Sequence, residues 1–138
     1  MRRIRVVAGI LWRGDTFLAA QRPAGKSMAG MWEFPGGKLE EGETPEAALA
    51  RELQEELGVT PTAVRFWRLV RHDYPDLLVE LHFFHVTAFD GEPAPLEGHR
   101  LAWVDWAAAT QLPFLEADRP LVHDLRHGPV PYTAAPAV

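Results

Sequence analysis

The spacing of apolar residues along this chain predicts a domain of several strands and one strong helix. Runs rich in β-branched and aromatic residues, bounded by Gly, Pro or Asp, indicate strands. The predicted strands are Ile4 to Trp12, Thr16 to Gln21, Met31 to Phe34, Val64 to Arg71, Leu77 to Phe89 and Leu101 to Val104. Turns or loops are predicted between them at residues 13–15, 22–30, 35–37, 74–76 and 90–98. The pattern contains no internal repeat and no sign of a second domain.

The strongest helical pattern covers residues 44–58. Its apolar stripe consists of Leu49, Leu53 and Leu57, which recur every four residues. Thr44 is a suitable N-cap, and Gly58 suits the left-handed residue that ends a helix. Two shorter helices are predicted near the end of the chain, one after Asp105 and one from Pro120 to His127. The domain is therefore expected to span residues 1–128, followed by a loose Pro- and Ala-rich tail at 129–138.

Three carboxylates lie beside the apolar stripe of this helix. Glu52, Glu55 and Glu56 are spaced i, i+3 and i+4, so they converge on one patch. Like charges at this spacing cost roughly 0.2–0.5 kcal/mol per pair, and the helix dipole disfavours anions in the last turn. Arg51 is the only basic residue in the helix, whereas a solvated acidic face normally carries several opposite charges. The patch therefore predicts a divalent cation, and clustered carboxylates suit Mg²⁺.

Composition narrows the possible chemistry. The chain has 138 residues, enough for one domain with a sizeable core. It has no cysteine, which excludes thiol nucleophiles and disulfides, and its only serine, Ser27, lies in no nucleophile-elbow motif. A net charge of −5 argues against a nucleic-acid polymer as partner, and no apolar run approaches the roughly 18 residues of a membrane span. A cytoplasmic enzyme, monomeric or homodimeric, that uses water as nucleophile is expected.

The acidic patch belongs to a longer pattern that resembles the complete Nudix box. The matching positions are Gly37, Glu43, Arg51-Glu52-Leu53, Glu55-Glu56 and Gly58-Val59, within residues 37–59. The resemblance implies an α+β fold, an α/β/α sandwich in which helices flank a mixed β-sheet and the box forms a loop–helix–loop. It also implies hydrolysis of a nucleoside diphosphate linked to another group, with Mg²⁺ as cofactor and Mn²⁺ as a substitute.

The similarity extends beyond the box to the MutT branch of this superfamily. Three segments carry it: Gln21-Arg22-Pro23, Trp32 through Lys38, and Ala117 through Leu121. Members of this branch are nucleoside triphosphate pyrophosphohydrolases that remove oxidised nucleotides such as 8-oxo-dGTP. The resemblance implies that Arg22 contacts the α- and β-phosphates and that position 118 contacts the edge of the base.

The resemblance also assigns site residues. The implied metal ligands are Gly36, Gly37, Glu52, Glu55, Glu56 and Glu97, the glycines through a backbone carbonyl. The implied catalytic residues are Arg51, Glu52, Glu55, Glu56 and Glu97, with Arg51 orienting the glutamates and either Glu52 or Glu97 as general base. Substrate contacts are expected from Arg22, Glu33, Phe34, Pro35, Gly36, Lys38, Tyr74 and Asp118, of which Tyr74 is chosen because it is an aromatic residue beside a turn. The histidines show no metal-binding spacing, and His99, His123 and His127 are expected at the surface.

Two departures leave the base open. MutT has asparagine where this chain has Asp118, and it has a substrate-contacting arginine near the position of Leu77 that is missing here. An asparagine offers a donor and an acceptor, whereas an ionised aspartate only accepts. Aspartate at this position is found in the related CTP pyrophosphohydrolases, so a pyrimidine nucleotide is the alternative substrate. An inactive Nudix domain that senses a ligand, or a base-reading appendage of a DNA glycosylase, would be expected to lack the intact box.

Overall fold

The computed structural model describes residues 2–131, so most of the predicted tail lies outside the described residues. Its strands are β1 (Arg2–Arg13), β2 (Thr16–Gln21), β3 (Trp32–Glu33), β4 (Gly36–Lys38), β5 (Thr60–Tyr74), β6 (Leu77–Asp90) and β7 (Arg100–Val104). Its helices are α1 (Pro45–Leu57), α2 (Trp106–Ala109) and α3 (Arg119–His123). No helix between residues 2 and 131 is long and apolar enough to cross a membrane.

The central feature is a mixed sheet built around β1. The strand order is β3-β2-β1-β6-β5, with β4 also paired to β1 and β7 to β2. On one side β1 runs parallel to β6, and on the other it pairs antiparallel first with β4 and then, at its end, with β2. Strands β4 and β2 therefore pair with successive stretches of the same edge of β1.

Both faces of the sheet are covered. On one face, Val7 and Leu11 of β1 pack in a cluster with the leucines of α1. On the opposite face, Ile10 and Trp12 pack in a cluster that includes Leu121 of α3. Because side chains alternate along a strand, neighbouring residues of β1 serve the two clusters. The predicted α/β/α sandwich is confirmed.

The ends of α1 are those predicted from the sequence. The Thr44 hydroxyl accepts a hydrogen bond from the amide of Ala47 at 3.1 Å. Gly58 has a φ of 72°, and its amide donates to the carbonyl of Gln54. The stripe leucines Leu49, Leu53 and Leu57 are all fully buried. Local signals thus determine where the helix starts, where it ends and which side it buries.

Three predicted segments differ from the structure, the first two because of pairing between distant segments. The glycines at 36 and 37 form β4 instead of a turn, because they pair with Ala8 and Val7 of β1. Strand β5 is twice as long as predicted and carries bulges, because β6 provides partners along its whole length. The last helix, α3, ends at His123, and turns continue from there to residue 128.

Candidate active site

A cavity of about 350 Å³ lies where β1, β4 and α1 meet the loop that precedes β7. Its polar lining consists of Arg22, Lys26, Glu33, Lys38, Glu56, Glu97, His99 and Asp118, and its apolar lining includes Val6, Ala8, Phe34, Leu81 and Leu115. A cavity of about 460 Å³ between α2 and α3 is larger, but its lining contains no carboxylate. The chemistry predicted from the sequence therefore points to the smaller cavity.

Glu56 is the most buried glutamate of the box. Its side chain is almost fully covered, and Oε2 accepts a hydrogen bond from the amide of Gly36 at 3.0 Å. Burial above all, and secondly the charges of Glu33, Glu97 and Glu52, raise the pKa of Glu56 to about 8 against the opposing effect of the Gly36 amide. An ionised Glu56 is therefore costly here unless a positive charge is bound beside it.

Glu52 lies against the backbone of Gly37. A Cβ at Gly37 would collide with the Glu52 carboxyl group, so only glycine leaves room for this close approach. Burial raises the pKa of Glu52, Arg51 opposes this, and the charges of Glu55 and Glu97 add to the rise. Gly36 is glycine for a different reason, because a Cβ there would collide with the backbone of β1. The two glycines let β4 lie close to β1 and to the carboxylates of α1.

Arg51 ties the box together. Its guanidinium donates to both oxygens of Glu43 at 2.8 and 2.9 Å, to Glu52 at 2.9 Å and to Glu55 at 3.3 Å. It also donates to the carbonyl of Lys38 at 3.0 Å. The arginine lowers the pKa of Glu43 to about 2. Its contacts join the loop before α1 to the carboxylates of the helix.

The donor atoms fit a hard divalent cation. The available ligands are oxygens only, from Glu52, Glu55, Glu56, Glu97 and the backbone of β4. Among residues 2–131, no three Asp, Glu or His side chains are already arranged to hold a metal ion. These carboxylates are engaged by other groups, because Arg51 donates hydrogen bonds to Glu52 and Glu55, and Glu56 accepts one from the amide of Gly36 in β4. Carboxylates whose pKa values are raised by burial and by each other are those that a dication would stabilise.

The predicted phosphate-contacting and nucleotide-lining residues surround the same cavity. Arg22 donates to both oxygens of Glu33, at 3.3 and 3.1 Å, and to the carbonyl of Ser27 at 2.7 Å. Phe34 is buried, and its ring lies 5.6 Å from that of Phe114. Pro35 is buried and does not line the cavity, although its carbonyl accepts from the amide of Gly9 and so fixes the adjacent backbone.

Asp118 lines the same cavity from the start of α3. It occupies the N-cap position of α3, but its side chain makes no capping hydrogen bond. Burial, and secondly the charge of Glu33, raise the pKa of Asp118 to about 7, against a hydrogen bond from the backbone of Phe34. A side chain that is buried here without capping the helix is available to a ligand.

Two expectations about side-chain placement are wrong. Tyr74 lies at the end of β5, opposite Leu77, and is 54% exposed outside the cavity lining, because the long β5–β6 hairpin carries it away from the site. His99 is buried rather than at the surface, with Nε2 3.6 Å from Glu33 and Nδ1 3.6 Å from Glu56.

The sequence analysis also did not predict that four further residues line the cavity: Lys26 and the apolar Val6, Ala8 and Leu81. The position of His99, two residues after the candidate ligand Glu97, was the available sequence signal for the histidine.

Comparison with known proteins agrees with this arrangement. The family model of the NUDIX domain matches residues 6–124. The chain is 40% identical to the CTP pyrophosphohydrolase of Escherichia coli K12 over 88% of its own length and 90% of that protein. It is 44% identical to the 8-oxo-dGTP diphosphatase of Proteus vulgaris over 70% of its own length and 88% of that protein.

A solved MutT structure, from work on Aliivibrio salmonicida and Vibrio cholerae, superimposes with a TM-score of 0.80 at 39% identity, covering 91% of this chain and 98% of that one. The carboxylate patch, the cavity and these similarities together show that the chain belongs to the Nudix family, as a hydrolase that acts on phosphoanhydride bonds of nucleotides.

Proposed function

We propose that this protein is a Mg²⁺-dependent pyrophosphohydrolase that converts 8-oxo-dGTP to its nucleoside monophosphate and pyrophosphate. The observation that carries the proposal is the layout of the cavity. Glu56 of α1, Glu97 of the loop before β7 and the buried Asp118 at the start of α3 all line this one cavity. A nucleoside triphosphate can thus place its phosphates by the carboxylates and its base by Asp118.

The reaction needs several contributions from the chain. Glu52, Glu55, Glu56, Glu97 and the backbone of Gly36 and Gly37 would hold the metal. Bound Mg²⁺ would neutralise phosphate charge and lower the pKa of the attacking water. Arg51 restrains Glu52 and Glu55 through hydrogen bonds to both. Arg22, now paired with Glu33, would turn to the phosphates when substrate binds, and Lys26 and Lys38 add positive charge to the same cavity.

The general base is either Glu52 or Glu97. Burial raises the pKa of Glu52, which favours proton acceptance near neutral pH. Glu97 is exposed in the loop before β7 and lines the cavity. Substituting each by glutamine separates them, because loss of the base lowers kcat and removes one limb of its pH profile.

The environment of Asp118 supports an oxidised purine. With a pKa of about 7, a substantial fraction of Asp118 is protonated near neutral pH. A protonated carboxyl group presents one donor and one acceptor, as the asparagine of MutT does. The ionised form would instead accept from the exocyclic amine of cytosine, and for that reason CTP or dCTP is the second candidate, in line with the relative named CTP pyrophosphohydrolase.

A nucleotide panel tests the proposal. The panel contains 8-oxo-dGTP, dGTP, CTP, dCTP and 5-modified dCTP, with kcat/KM measured for each and the products identified as pyrophosphate or phosphate. We expect 8-oxo-dGTP to be preferred over dGTP and CTP, with pyrophosphate released. Preference for a cytidine nucleotide would transfer the assignment to the second candidate. Tight binding without turnover would instead indicate a ligand-sensing domain. We also propose that the enzyme acts on free nucleotides in the cytoplasm, as a monomer or homodimer.

A further inference from the structure

His99 lies between the two halves of the cavity. It precedes β7 directly, while Glu33 belongs to β3 and Glu56 to α1. Its Nε2 atom is 3.6 Å from Oε2 of Glu33, and its Nδ1 atom is 3.6 Å from Oε1 of Glu56. One imidazole thus faces a carboxylate from the nucleotide-binding side and a carboxylate from the metal-binding side.

The side chain of His99 is buried, and one of its ring nitrogens lacks a hydrogen-bond partner among the described residues. The ring is 9% exposed, and Nδ1 is buried without a hydrogen-bond partner among the described residues. A buried polar atom that is left unpaired costs free energy. By contrast, His123 is exposed on α3 and faces no cavity carboxylate. The buried His85 also has a ring nitrogen, Nε2, that is unpaired within residues 2–131, but its Nδ1 accepts a hydrogen bond from Trp12 within the core. The ring of His99 is therefore aimed at groups in the cavity rather than serving the apolar core.

The two oxygens of Glu56 have different partners. Oε2 accepts from the amide of Gly36 at 3.0 Å, so one side of the carboxylate is fixed by the backbone. Oε1 lies 3.6 Å from Nδ1 of His99. The orientation of the carboxylate about its last bond thus depends on a rigid amide on one side and on His99 on the other.

We propose that His99 is a positioning residue that holds Glu56 in the orientation needed to bind the metal and holds Glu33 beside Arg22. This inference rests on the proposed metal-dependent function and adds a residue to it. Groups behind a metal ligand commonly change metal affinity or activity by about 10- to 100-fold when they are removed. The two ring nitrogens have separable tasks, because Nδ1 faces Glu56 and Nε2 faces Glu33.

Three substitutions separate these tasks. In His99→Asn the side-chain amide reaches the position of Nδ1, and in His99→Gln it reaches the position of Nε2, whereas His99→Leu keeps bulk and removes both polar atoms. The exposed His123 supplies matched control variants, His123→Asn and His123→Leu. Binding of Mn²⁺ alone to the nucleotide-free protein is measured by calorimetry, and KM for the nucleotide is measured at saturating Mg²⁺.

We expect His99→Leu to weaken Mn²⁺ binding by about 10-fold or more, His99→Gln to weaken it similarly, and His99→Asn to restore most of it. KM should rise in His99→Asn and His99→Leu and stay near the wild-type value in His99→Gln. The His123 variants should change neither quantity.

Wild-type Mn²⁺ affinity in a folded His99→Leu protein would overturn the proposal, and so would equal losses in the Asn and Gln variants. Mn²⁺ binding is measured without nucleotide, so the two proposals can fail separately. A wild-type protein that binds Mn²⁺ but hydrolyses none of the nucleotides would refute the proposed function. The role of His99 would then still be decided by the Mn²⁺ affinities of its variants.

Discussion

The burial of Glu56 makes a quantitative prediction for Glu56→Gln. In the folded protein the pKa of Glu56 is raised to about 8 from an ordinary value of 4.5, chiefly by burial. Since the folded value is the higher one, the protonated carboxyl group favours the folded state. This contribution is fully present below about pH 4.5 and is lost as the pH rises to about 8. Glutamine stays neutral throughout and can still accept from the amide of Gly36.

The size of the effect follows from the two pKa values, 4.5 and about 8, which differ by about 3.5. One pKa unit corresponds to about 1.4 kcal/mol, so the loss of stability caused by Glu56 is about 3 kcal/mol at pH 7, about 4 kcal/mol at pH 8 and about 5 kcal/mol at higher pH, as upper limits. Without metal, Glu56→Gln should therefore match the wild type near pH 4.5 and be more stable by up to about 3 kcal/mol at pH 7. Its kcat should nevertheless fall by roughly 10²-fold or more, since an oxygen ligand of the metal is lost.

Denaturant unfolding between pH 4.5 and 8.5 in excess EDTA measures the difference in unfolding free energy. Glu55→Gln is the matched control, because the side chain of Glu55 is about half exposed and belongs to the same patch. Asp118, whose pKa is also raised, adds pH dependence of the same sign to every variant and cancels in the comparison. A difference between wild type and Glu56→Gln that stays constant from pH 5 to pH 8 would refute the burial argument. A core-like loss of stability would assign Glu56 a structural role.

Three further predictions use the same assays. Activity should require Mg²⁺ or Mn²⁺, and full turnover in excess EDTA would contradict the metal site. Gly36→Ala should unfold at a much lower denaturant concentration than Gly37→Ala, because a Cβ at position 36 meets the backbone of β1, whereas a Cβ at position 37 meets only the Glu52 side chain. Gly37→Ala should instead fold and bind Mn²⁺ more weakly. Asp118→Asn should shift the kcat/KM ratio of 8-oxo-dGTP to CTP towards 8-oxo-dGTP by roughly tenfold, since one buried hydrogen bond is worth about 1–3 kcal/mol, and should remove the change of that ratio through pH 7.

Short-range signals explain what the sequence could predict. The caps Thr44 and Gly58 and the leucine stripe of α1 act within one helix, so the helix was predicted with its correct ends. The repulsion between neighbouring glutamates on that helix is also a local feature, and it indicated the candidate metal site from the sequence. By contrast, β4 exists because β1 offers partners to two glycines, which no local propensity favours as a strand. Pairing of this kind depends on the whole sheet.

The placement of single side chains depended even more on distant segments. His99 is buried, and Glu33 and Glu56, which come from two other parts of the chain, each lie 3.6 Å from its ring. Tyr74 lies beside a turn, as the last residue of β5, and the length of the β5–β6 hairpin places it away from the cavity. The family resemblance identified the box and the cavity residues, but it could not supply these distances.

Glu33 interacts electrostatically with both Glu56 and Asp118. Its charge helps to raise the pKa of Glu56 at the metal end and that of Asp118 at the base end. Arg22 now pairs with Glu33, and His99 faces it from the opposite side. If Arg22 turns to a phosphate, as proposed, the charge of Glu33 is balanced less, so the pKa values of Asp118 and Glu56 should both rise. We therefore predict that base reading and metal binding are coupled through Glu33. A substitution at Glu33 should alter both the preference for a base and the affinity for metal, whereas a substitution at the exposed Glu55 should alter only the affinity for metal.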